Sequence, residues 1–430
     1  MLRRAAPLTK EPEVSVQPVD AEWRPSSESF AAPPAEAAQA ARRPAGPRAN
    51  GGACALRLVH MHQARLVASL RAAHGSRDAF ERAFPGALGA ACIAAAPDTD
   101  AAARVLAAAA PDLPLAPVRM ALLGSAAAQG GAAYEIWQCD ARDLRSARRG
   151  PVHYRYSEAA GLVFGSIVVH EADTAAGDGT PLERATCDAY RALFDVLDTL
   201  GIPHPLRIWN TVPAINAEQF GIERYRQFNI GRQRAFDACR RALTGGVPAA
   251  CALGSVDPVA GDAAPDAPLA IHFLASRTPA DPVENPRQVS AYHYPAQYGP
   301  RAPTFARAAA WPSAPGAPVL FVSGTASIVG HRTVHAGDVV AQTRETMANL
   351  VAVLEQAARQ GHGPFTLADL NYRVYVRDAA DGAALAAIER VLREAAGPGL
   401  RALFVHADVC RDDLLVEIEA GAGHATEWLS

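Results

Sequence analysis

Arginine and tyrosine side chains are concentrated in one irregular segment of the 430-residue chain, residues 276–318. Arg301 and Arg307 can each form two parallel hydrogen bonds with a carboxylate, and Tyr298 offers a flat wall with a hydroxyl group at its tip. The segment is too rich in proline, tyrosine and arginine for a flexible linker, and long ordered loops are commonly functional. These residues indicate a pocket for a small dianionic substrate. The alternative is an inter-domain strap whose arginines pair with acids of the partner domain.

A helix with a carboxylate on its second turn is predicted soon after this segment. The β-forming run Val319–Val322 is followed by Ser323 and Gly324, and the helix begins near Asp338 and carries Glu345. The apolar residues of the helix fall on one stripe that should pack on a sheet: Val340, Met347, Leu350, Val351 and Leu354. The polar residues fall on the opposite stripe: Asp338, Gln342, Glu345 and Asn349. Solvent exposure alone accounts for such a stripe, but the adjacent strand end with its glycine favours a pocket.

The elements that would position these side chains occur twice. Residues 161–169 (GLVFGSIVV) match VLFVSGTAS, and the helix that follows residue 180 matches the helix that carries Glu345. Each copy continues with a strand, a second helix and two further strands, so the order β-α-β-α-β-β recurs. The sequence therefore predicts an α+β fold with two layers, in which two tandem units pack as a pseudo-oligomer.

Shifts in composition divide the chain into four parts. Residues 1–50 are rich in proline, alanine and charge, and they should be disordered because they cannot bury enough apolar surface to offset ordering. Residues 51–275 are predicted to form an amino-terminal domain with extra leading elements. Residues 276–318 would be an ordered segment that lines the site, and residues 319–430 a carboxy-terminal catalytic domain.

Charge and hydropathy exclude several classes of function. The chain has 41 basic and 44 acidic residues and a net charge of −3, which leaves no field for a nucleic-acid backbone. No apolar run reaches the length of about 18 residues that a membrane span needs. The cysteines form no Cys-x-x-Cys pair, which is typical of reduced thiols in the cytosol. We therefore expect a cytoplasmic protein, and the sequence leaves its oligomeric state open between a monomer and a trimer.

The motifs for metals and cofactors are weak. His331 and His335 are four residues apart, but the glycines that flank them indicate a loop, in which that spacing does not align two ligands. The chain contains no G-x-S-x-G, no G-x-G-x-x-G after a strand and no G-x-x-x-x-G-K-[ST] motif. We therefore expect neither a metal nor an organic cofactor.

Two groups of sequence strings resemble known families. The strings LFVSGTASIVGH, GDVVAQTRETMANL, VYVRD and LLVEIEA are similar to the signature of the RidA (YjgF) superfamily. A longer series resembles the chorismatase family, the FkbO-type chorismate-converting enzymes, and it includes RIWNTVPAIN, ERYRQFNIGR, ENPRQVSAYHYP and YGPRAPTFARA. The resemblance implies a RidA-like protein of two lobes that acts on chorismate, a small molecule with two carboxylates and an enol ether, and releases pyruvate.

The resemblance also implies roles for individual residues. Cleavage of an enolpyruvyl ether needs a proton on the methylene carbon, which a carboxylic acid with a raised pKa can deliver. Glu345 is the predicted proton donor, and Gln342 would orient it or the substrate. The predicted substrate-binding residues are Arg301, Arg307, Arg224, Tyr298, Tyr225, Tyr154 and Gly324.

The product and the class of reaction stay open at this level. Members of the family release 3-hydroxybenzoate, sometimes with 4-hydroxybenzoate, or add water and release a dihydroxycyclohexadiene carboxylate; we favour the hydroxybenzoate branch. The rival is a RidA-like imine deaminase or ligand-binding protein, because Arg401 and Glu419 lie near that superfamily's carboxylate-binding arginine and last-strand glutamate. The first copy has Pro248 and Leu274 at those places. Residues 276–318, which short RidA proteins lack, argue against the rival.

Overall fold

Three copies of one βαβαββ unit build the described part of the chain, which in the computed structural model comprises residues 54–72, 78–96, 98–128, 130–255, 267–314, 317–378 and 380–429. In each copy the strands lie side by side in the order third, second, fourth, first. The second and third strands are parallel, and the fourth is antiparallel to its neighbours. The tandem repeat is confirmed, and the elements before residue 140 add a third copy. The predicted disordered segment, residues 1–50, lies outside the described residues.

Unit A is the copy that the sequence analysis did not recognise. Its elements are β1 (Leu56–His62), α1 (Gln63–Ala72), α2 (Ala79–Ala83), β2 (Ala87–Ala94), α3 (Asp98–Ala109), β3 (Leu115–Arg119), α4 (Gly124–Ala128) and β4 (Ala133–Cys139). Strand β2, with the sequence ALGAACIA, is buried along its whole length between β4 and β3. Alanine and glycine have low strand propensity, so packing rather than local preference decides the conformation of this strand.

Unit B follows a hairpin, β5 (Arg145–Arg149) and β6 (Val152–Ser157), that extends its sheet. Its elements are β7 (Leu162–Val169), α5 (Pro181–Leu200), β8 (His204–Pro213), β9 (Glu218–Gln219), β10 (Ile222–Glu223), α6 (Arg224–Ala238), β11 (Ala249–Ser255) and β12 (Leu269–Ser276). Helix α5 begins after Thr180, whose side chain accepts a hydrogen bond from the Glu183 amide, and it ends at Gly201 with φ 61°. A threonine cap and a left-handed glycine are the usual helix boundaries.

Unit C carries the helix with Glu345. Residues 277–307 lead into it through β13 (Asp281–Val283), and β14 (Ala308–Ala314) adds a further strand to its sheet. The unit consists of β15 (Ala317–Ala326), β16 (Ile328–Val329), β17 (Arg332–Thr333), α7 (Val339–Arg359), β18 (Asn371–Val376), α8 (Gly382–Ala396), β19 (Arg401–His406) and β20 (Val416–Ala422). The last strand, β21 (Ala425–Leu429), pairs in parallel with β1 and so joins units C and A.

The three sheets turn one face towards a shared core and the other towards their own helices. Trp137 of unit A lies 6.1 Å from Trp209 of unit B and 6.0 Å from Phe321 of unit C, measured between ring centroids. Each unit also has an apolar layer between its sheet and its helices. The described helices include none with the length and apolarity that crossing a bilayer requires. All seven cysteines are free thiols.

Helix α7 differs from its predicted stripes at three positions. Asp338 is the N-cap, as expected, and its side chain accepts a hydrogen bond from the Ala341 amide at 2.9 Å. Val351, predicted to pack on the sheet, is 38% exposed. Gln342 and Asn349, predicted for the polar outer face, are completely buried. The reason is that residues 285–288 and the backbone around residue 414 cover this face and supply hydrogen-bond partners.

Leu350→Ala should lower the free energy of unfolding by about 2–5 kcal/mol, because a fully buried side chain would leave a cavity. The neighbouring substitution Val351→Ala is the matched control, since Val351 is 38% exposed and its truncation should cost less than about 0.5 kcal/mol. Chemical denaturation of both variants measures the difference. Equal losses would contradict the orientation of α7.

Candidate active site

A cavity of about 630 Å³ lies between units B and C. Unit B contributes β11 and α6, and unit C contributes the end of β15, the start of β20 and the segment that joins β19 to β20. Residues from the arginine- and tyrosine-rich loop, Tyr294 to Arg307, close another side. The cavity is large enough for a small organic substrate and lies where two units meet, which is a common place for a binding site.

Glu417 is a buried carboxyl group in the lining of this cavity. It lies on β20, is 4% exposed, and none of the described residues hydrogen-bonds its carboxyl group. Burial raises its pKa to about 8, with a further contribution from the negative charge of Glu419, and the positive charges of Arg207, Arg307 and Arg377 oppose this. Glu417 is therefore largely protonated at neutral pH and can donate a proton to a bound molecule.

The space for this carboxyl group comes from Gly324 on β15. A Cβ atom at this position would lie 1.8 Å from Glu417 Oε1 and 3.2 Å from the Cβ of Cys251. Cys251 and Cys410 line the same part of the cavity, and burial raises the pKa of both thiols, that of Cys410 to about 12. These thiols are neutral at neutral pH, so the wall beside Glu417 cannot solvate a carboxylate well.

Glu419, two residues further along β20, has the opposite protonation state. Burial raises its pKa, but Arg373 and Arg207 outweigh burial and lower the pKa to about 2. Arg207 forms an ion pair with it, Arg373 Nη1 lies 3.2 Å from Oε1, and the Trp209 indole N–H donates to Oε1 at 3.1 Å. Two carboxyl groups with pKa values moved apart are a common arrangement in active sites. Here one is an acid and the other a fixed charge.

Two buried guanidinium groups reach the cavity from opposite units. Arg232 of α6 is 2% exposed and Arg307 is 3% exposed. Arg232 donates from Nη2 to Asn229 Oδ1 at 2.7 Å, and Arg307 donates from Nη2 to Tyr294 Oη at 2.8 Å. The Nε–H of each has no partner among the described residues. Buried charges are usually paired, so both side chains are prepared for an anionic ligand.

A third arginine lies against the tyrosines of the loop. The guanidinium of Arg411 is 4.1 Å from the ring centroid of Tyr298 and 5.3 Å from that of Tyr294. Arg411 donates from Nη1 to the His331 carbonyl at 3.0 Å, while Tyr298 Oη and His331 Nδ1 are 3.1 Å apart. Arginine and tyrosine together form a flat, positively charged wall.

Comparison with known proteins agrees with this geometry. A family model described as "Chorismatase FkbO/Hyg5-like, N-terminal" matches residues 135–275. The chain is 41% identical over 246 residues to a 3-hydroxybenzoate synthase of Streptomyces hygroscopicus, a match that covers 55% of this chain and 68% of the relative. It is 39% identical to a chorismatase of Streptomyces rapamycinicus, over 56% of this chain and 71% of the relative. The chain belongs to the chorismatase family.

A solved structure supports the same assignment at the level of the fold. The crystal structure of a chorismatase superposes with a TM-score of 0.62 and 27% sequence identity, and it covers 88% of this chain and 96% of its own. The relationship therefore includes unit A, which the family model does not span. As a member of this family, the protein is an enzyme.

Four of the predicted site residues line the cavity. Arg307 and Tyr298 belong to the arginine- and tyrosine-rich loop, Tyr225 lies on α6, and Gly324 lies on β15. Burial raises the pKa of Tyr225, so its hydroxyl group stays protonated. The loop therefore does contribute to the cavity.

Glu345 and Gln342, the predicted catalytic pair, lie outside the cavity lining. Arg287 Nη2 donates to Glu345 Oε1 at 2.6 Å, and His335 Nε2 lies 3.6 Å from Oε2. Gln342 donates to the Asp413 carbonyl at 2.8 Å and accepts from the Leu415 amide at 2.8 Å. The sequence analysis predicted that these residues lie at a pocket because they belong to the polar stripe of the helix. In the structure, the backbone of another segment covers this stripe and is hydrogen-bonded to Gln342.

Three other predicted substrate-binding residues also lie away from the cavity lining. Arg224 is buried in an ion pair with Glu171, and it donates from Nε to the Pro213 carbonyl at 2.7 Å. Tyr154 is part of the apolar layer of unit B, with its ring centroid 6.0 Å from that of Tyr156. Arg301 is exposed to solvent. The resemblance of short sequence strings to the family led to the prediction that these residues bind the substrate. In the structure, their side chains do not line the cavity.

The sequence analysis missed Glu417, Arg232 and Arg411. One signal was present for Glu417: two acids alternate with apolar residues in Val416-Glu417-Ile418-Glu419, which puts both acids on the same face of a strand. Nothing in the sequence distinguishes Arg232 from its neighbours on α6. Arg411 lies in a connecting segment whose path only the fold defines.

The protonation state of Glu417 is directly measurable. Infrared difference spectra of the wild type against Glu417→Gln should contain the carbonyl band of a protonated carboxylic acid at pH 7, and this band should titrate away near pH 8. Glu345→Gln is the control and should keep the band. A band that is absent at pH 7 would contradict the protonated state.

Proposed function

We propose that this enzyme converts chorismate to 3-hydroxybenzoate and pyruvate, with Glu417 as the proton donor. The observation that carries the proposal is a buried, largely protonated carboxylic acid in a cavity walled by arginines. The relatives add support, because one is named a 3-hydroxybenzoate synthase and others chorismatase.

The chemistry needs an acid whose pKa lies near the working pH. Glu417 donates its proton to the methylene carbon of the enolpyruvyl ether, which leaves an oxocarbenium ion on the side chain of the substrate. The Glu417 carboxylate that remains is negative and stabilises this cation. Glu419, already ionised, keeps a second negative charge nearby. Acid catalysis of this kind typically contributes about 100- to 10,000-fold.

The arginines hold the two carboxylates of the substrate. Arg232 and Arg307 come from different segments and both line the cavity, so each can bind one carboxylate of a dianion. Arg411 adds charge on the tyrosine wall. The proposal puts the methylene group of the bound substrate next to Glu417, which lines the same cavity as these arginines.

The final step sets the product. The oxygen of the neighbouring ring hydroxyl bonds to the ring carbon that carries the ether as that carbon's bond to the ether oxygen breaks, so pyruvate leaves and the hydroxyl proton returns to the Glu417 carboxylate. The oxygen's bond to its original ring carbon then breaks, the oxygen gains a proton and the ring carbon that now carries it loses one, which gives 3-hydroxybenzoate with no water consumed. Hydrolysis to a dihydroxycyclohexadiene carboxylate consumes one water molecule, which adds to the same oxocarbenium ion. The neutral thiols and alanines around Glu417 limit water near the reacting atoms, which favours the first route.

A RidA-like imine deaminase is the weaker alternative. Arg401 and Glu419 motivated it, but Glu419 is held by Arg207, Arg373 and Trp209, and Arg401 lies on β19 outside the cavity lining. Purified enzyme with chorismate tests the proposal: chromatography should show 3-hydroxybenzoate and pyruvate in equal amounts. Untouched chorismate together with hydrolysis of 2-aminoacrylate-type imines would overturn it.

Glu417→Gln should reduce pyruvate release from chorismate by about 100- to 10,000-fold, because glutamine cannot give up a proton. Glu345→Gln, which changes a carboxyl group outside the cavity, should stay close to the wild type. In the wild type, kcat/KM should fall as the pH rises through about 8, since deprotonation removes the donor. A near-normal rate for Glu417→Gln would exclude this residue as the acid.

Arg307→Met should raise KM for chorismate on the order of 10-fold or more, because it removes a charge-assisted hydrogen bond to a carboxylate, worth about 1.5–3 kcal/mol. Arg301→Met is the matched control from the same loop, and its KM should not change because Arg301 is exposed outside the cavity lining. Steady-state kinetics at fixed ionic strength distinguishes the two. The opposite ranking would assign the carboxylate to Arg301.

A further inference from the structure

One connecting segment supplies a large part of the cavity wall. Residues 408–414, here called the rim segment, lie between β19 and β20 and carry Cys410, Arg411, Asp412 and Asp413 into the lining. A connection without regular secondary structure has few hydrogen bonds of its own, so its position must come from other parts of the fold.

The guanidinium group of Arg377 donates four hydrogen bonds to the rim segment. Arg377 follows the last residue of β18 and lies outside the cavity lining. Its Nε donates to the Leu414 carbonyl at 2.8 Å, and its Nη2 donates to the carbonyls of Val409 at 2.9 Å and Arg411 at 2.8 Å. Three carbonyl groups of one short segment thus converge on a single side chain.

The remaining donors of Arg377 connect the rim segment to unit B. Nη1 donates to Asp408 Oδ1 at 2.7 Å and to Asn216 Oδ1 at 3.1 Å, and Asn216 follows β8 of unit B. A guanidinium group has five N–H donors, so all of them are used. The Gly254 amide of β11 also donates to the Asp408 carbonyl at 2.7 Å, and a Cβ at Gly254 would lie 2.6 Å from the Asp408 Cβ. The rim segment is therefore held at the junction of units B and C.

The contacts of Arg411 show what this arrangement controls. Its backbone carbonyl is held by Arg377, while its side chain stacks on Tyr298 and donates to the carbonyl of His331. The direction of the Arg411 side chain into the cavity thus depends on a backbone position that Arg377 sets. Gln342 supports the end of the same segment through the Asp413 carbonyl and the Leu415 amide.

We propose that Arg377 is a positioning residue of the reaction: its five hydrogen bonds hold the rim segment against unit B and thereby place Arg411 in the substrate cavity. The inference rests on the proposed function for its kinetic consequences, because it assumes that Arg411 contacts the substrate. Lysine cannot replace arginine here, since an ammonium group has three donors at one point and cannot reach all five acceptors.

Arg377→Lys tests the proposal with the charge retained. Misplacement of a binding group by about 1 Å can cost on the order of 100-fold, so kcat/KM for chorismate should fall by that order, mainly through KM. The pH at which kcat/KM falls should stay near 8, because lysine keeps the positive charge near Glu417. Arg359→Lys is the control, because Arg359 pairs with Gln356 and Glu355 of its own helix and should behave like the wild type.

Arg377→Ala gives an independent readout through chemical rescue. Added guanidinium, at concentrations well below those that unfold the protein, should restore kcat/KM in a saturable way because the side chain of Arg377 is 19% exposed. Ammonium at the same ionic strength should not restore it. Without guanidinium, the fall of kcat/KM should move to higher pH, because loss of a positive charge raises the pKa of Glu417.

Hydrogen exchange separates this proposal from the proposed function. Amides of residues 409–414 should exchange faster in Arg377→Lys, and the remaining amides of unit C should be unchanged. If the wild type leaves chorismate intact but this exchange increases, the structural role stands and the proposed function fails. Wild-type KM together with wild-type exchange in Arg377→Lys would overturn the positioning role. If Arg377→Lys does not fold, Asn216→Ala is the second variant, because it removes a single hydrogen-bond acceptor of Arg377. It must then raise both KM for chorismate and the rate of amide exchange in residues 409–414.

Discussion

The burial of one carboxyl group between units B and C is the constraint on which the candidate active site depends. An ionised carboxylate loses most of its hydration in such a place, so the protonated form of Glu417 is favoured. The absence of a side chain at Gly324 of β15 makes room for the carboxyl group, because a Cβ there would lie 1.8 Å from Oε1. The positive charges of Arg207, Arg307 and Arg377 reduce this effect without reversing it. The arrangement that keeps Glu417 protonated also presents guanidinium groups that can bind an anionic ligand.

The fixed charges around this acid form a network through all three units. Glu135 of unit A pairs with Arg373 of unit C, Arg373 lies beside Glu419, and Glu419 pairs with Arg207 of unit B. These four side chains are all nearly buried, and their charges cancel. A buried ion pair costs desolvation and gives little net stability, but removal of one partner leaves an uncompensated charge. We interpret the network as a means to keep Glu419 ionised while Glu417, two residues away, stays neutral.

Repetition of one unit does not make the three units equivalent. In unit C the strand pairing sets Arg373 opposite Glu419, whereas in unit B it sets Arg207 opposite Leu274. Arg207 forms its ion pair with Glu419 of unit C. Among the described residues, the large cavity with a raised carboxyl pKa lies at the junction of units B and C. Units A and B thus complete the core and walls of a site whose acid comes from unit C.

Several elements could be predicted because their local signals and their environment agree. Helix α7 has its cap at Asp338 and an apolar stripe that includes Leu350, and the sheet it packs on follows the strand run that the sequence shows. The alanine-rich strand β2 could not be predicted, since its burial between two neighbours overrides a weak propensity. Gln342 and Asn349 were expected at a pocket or in solvent, but backbone groups of distant segments bind both. Polar periodicity alone does not tell which of these three environments a stripe meets.

The sequence by itself determined the repeated unit, the family resemblance and the presence of an arginine- and tyrosine-rich wall, because these depend on residue order along the chain. Only the tertiary structure decided which carboxyl group is the acid. The pKa of a side chain depends on how much water it loses and which charges surround it. Gly324 meets Glu417 only when β15 pairs with β20, and Arg207 of unit B meets it only after the units pack. Glu345 and Glu417 are alike as sequence, but Glu345 forms an ion pair with Arg287 outside the cavity lining, whereas Glu417 is buried within that lining.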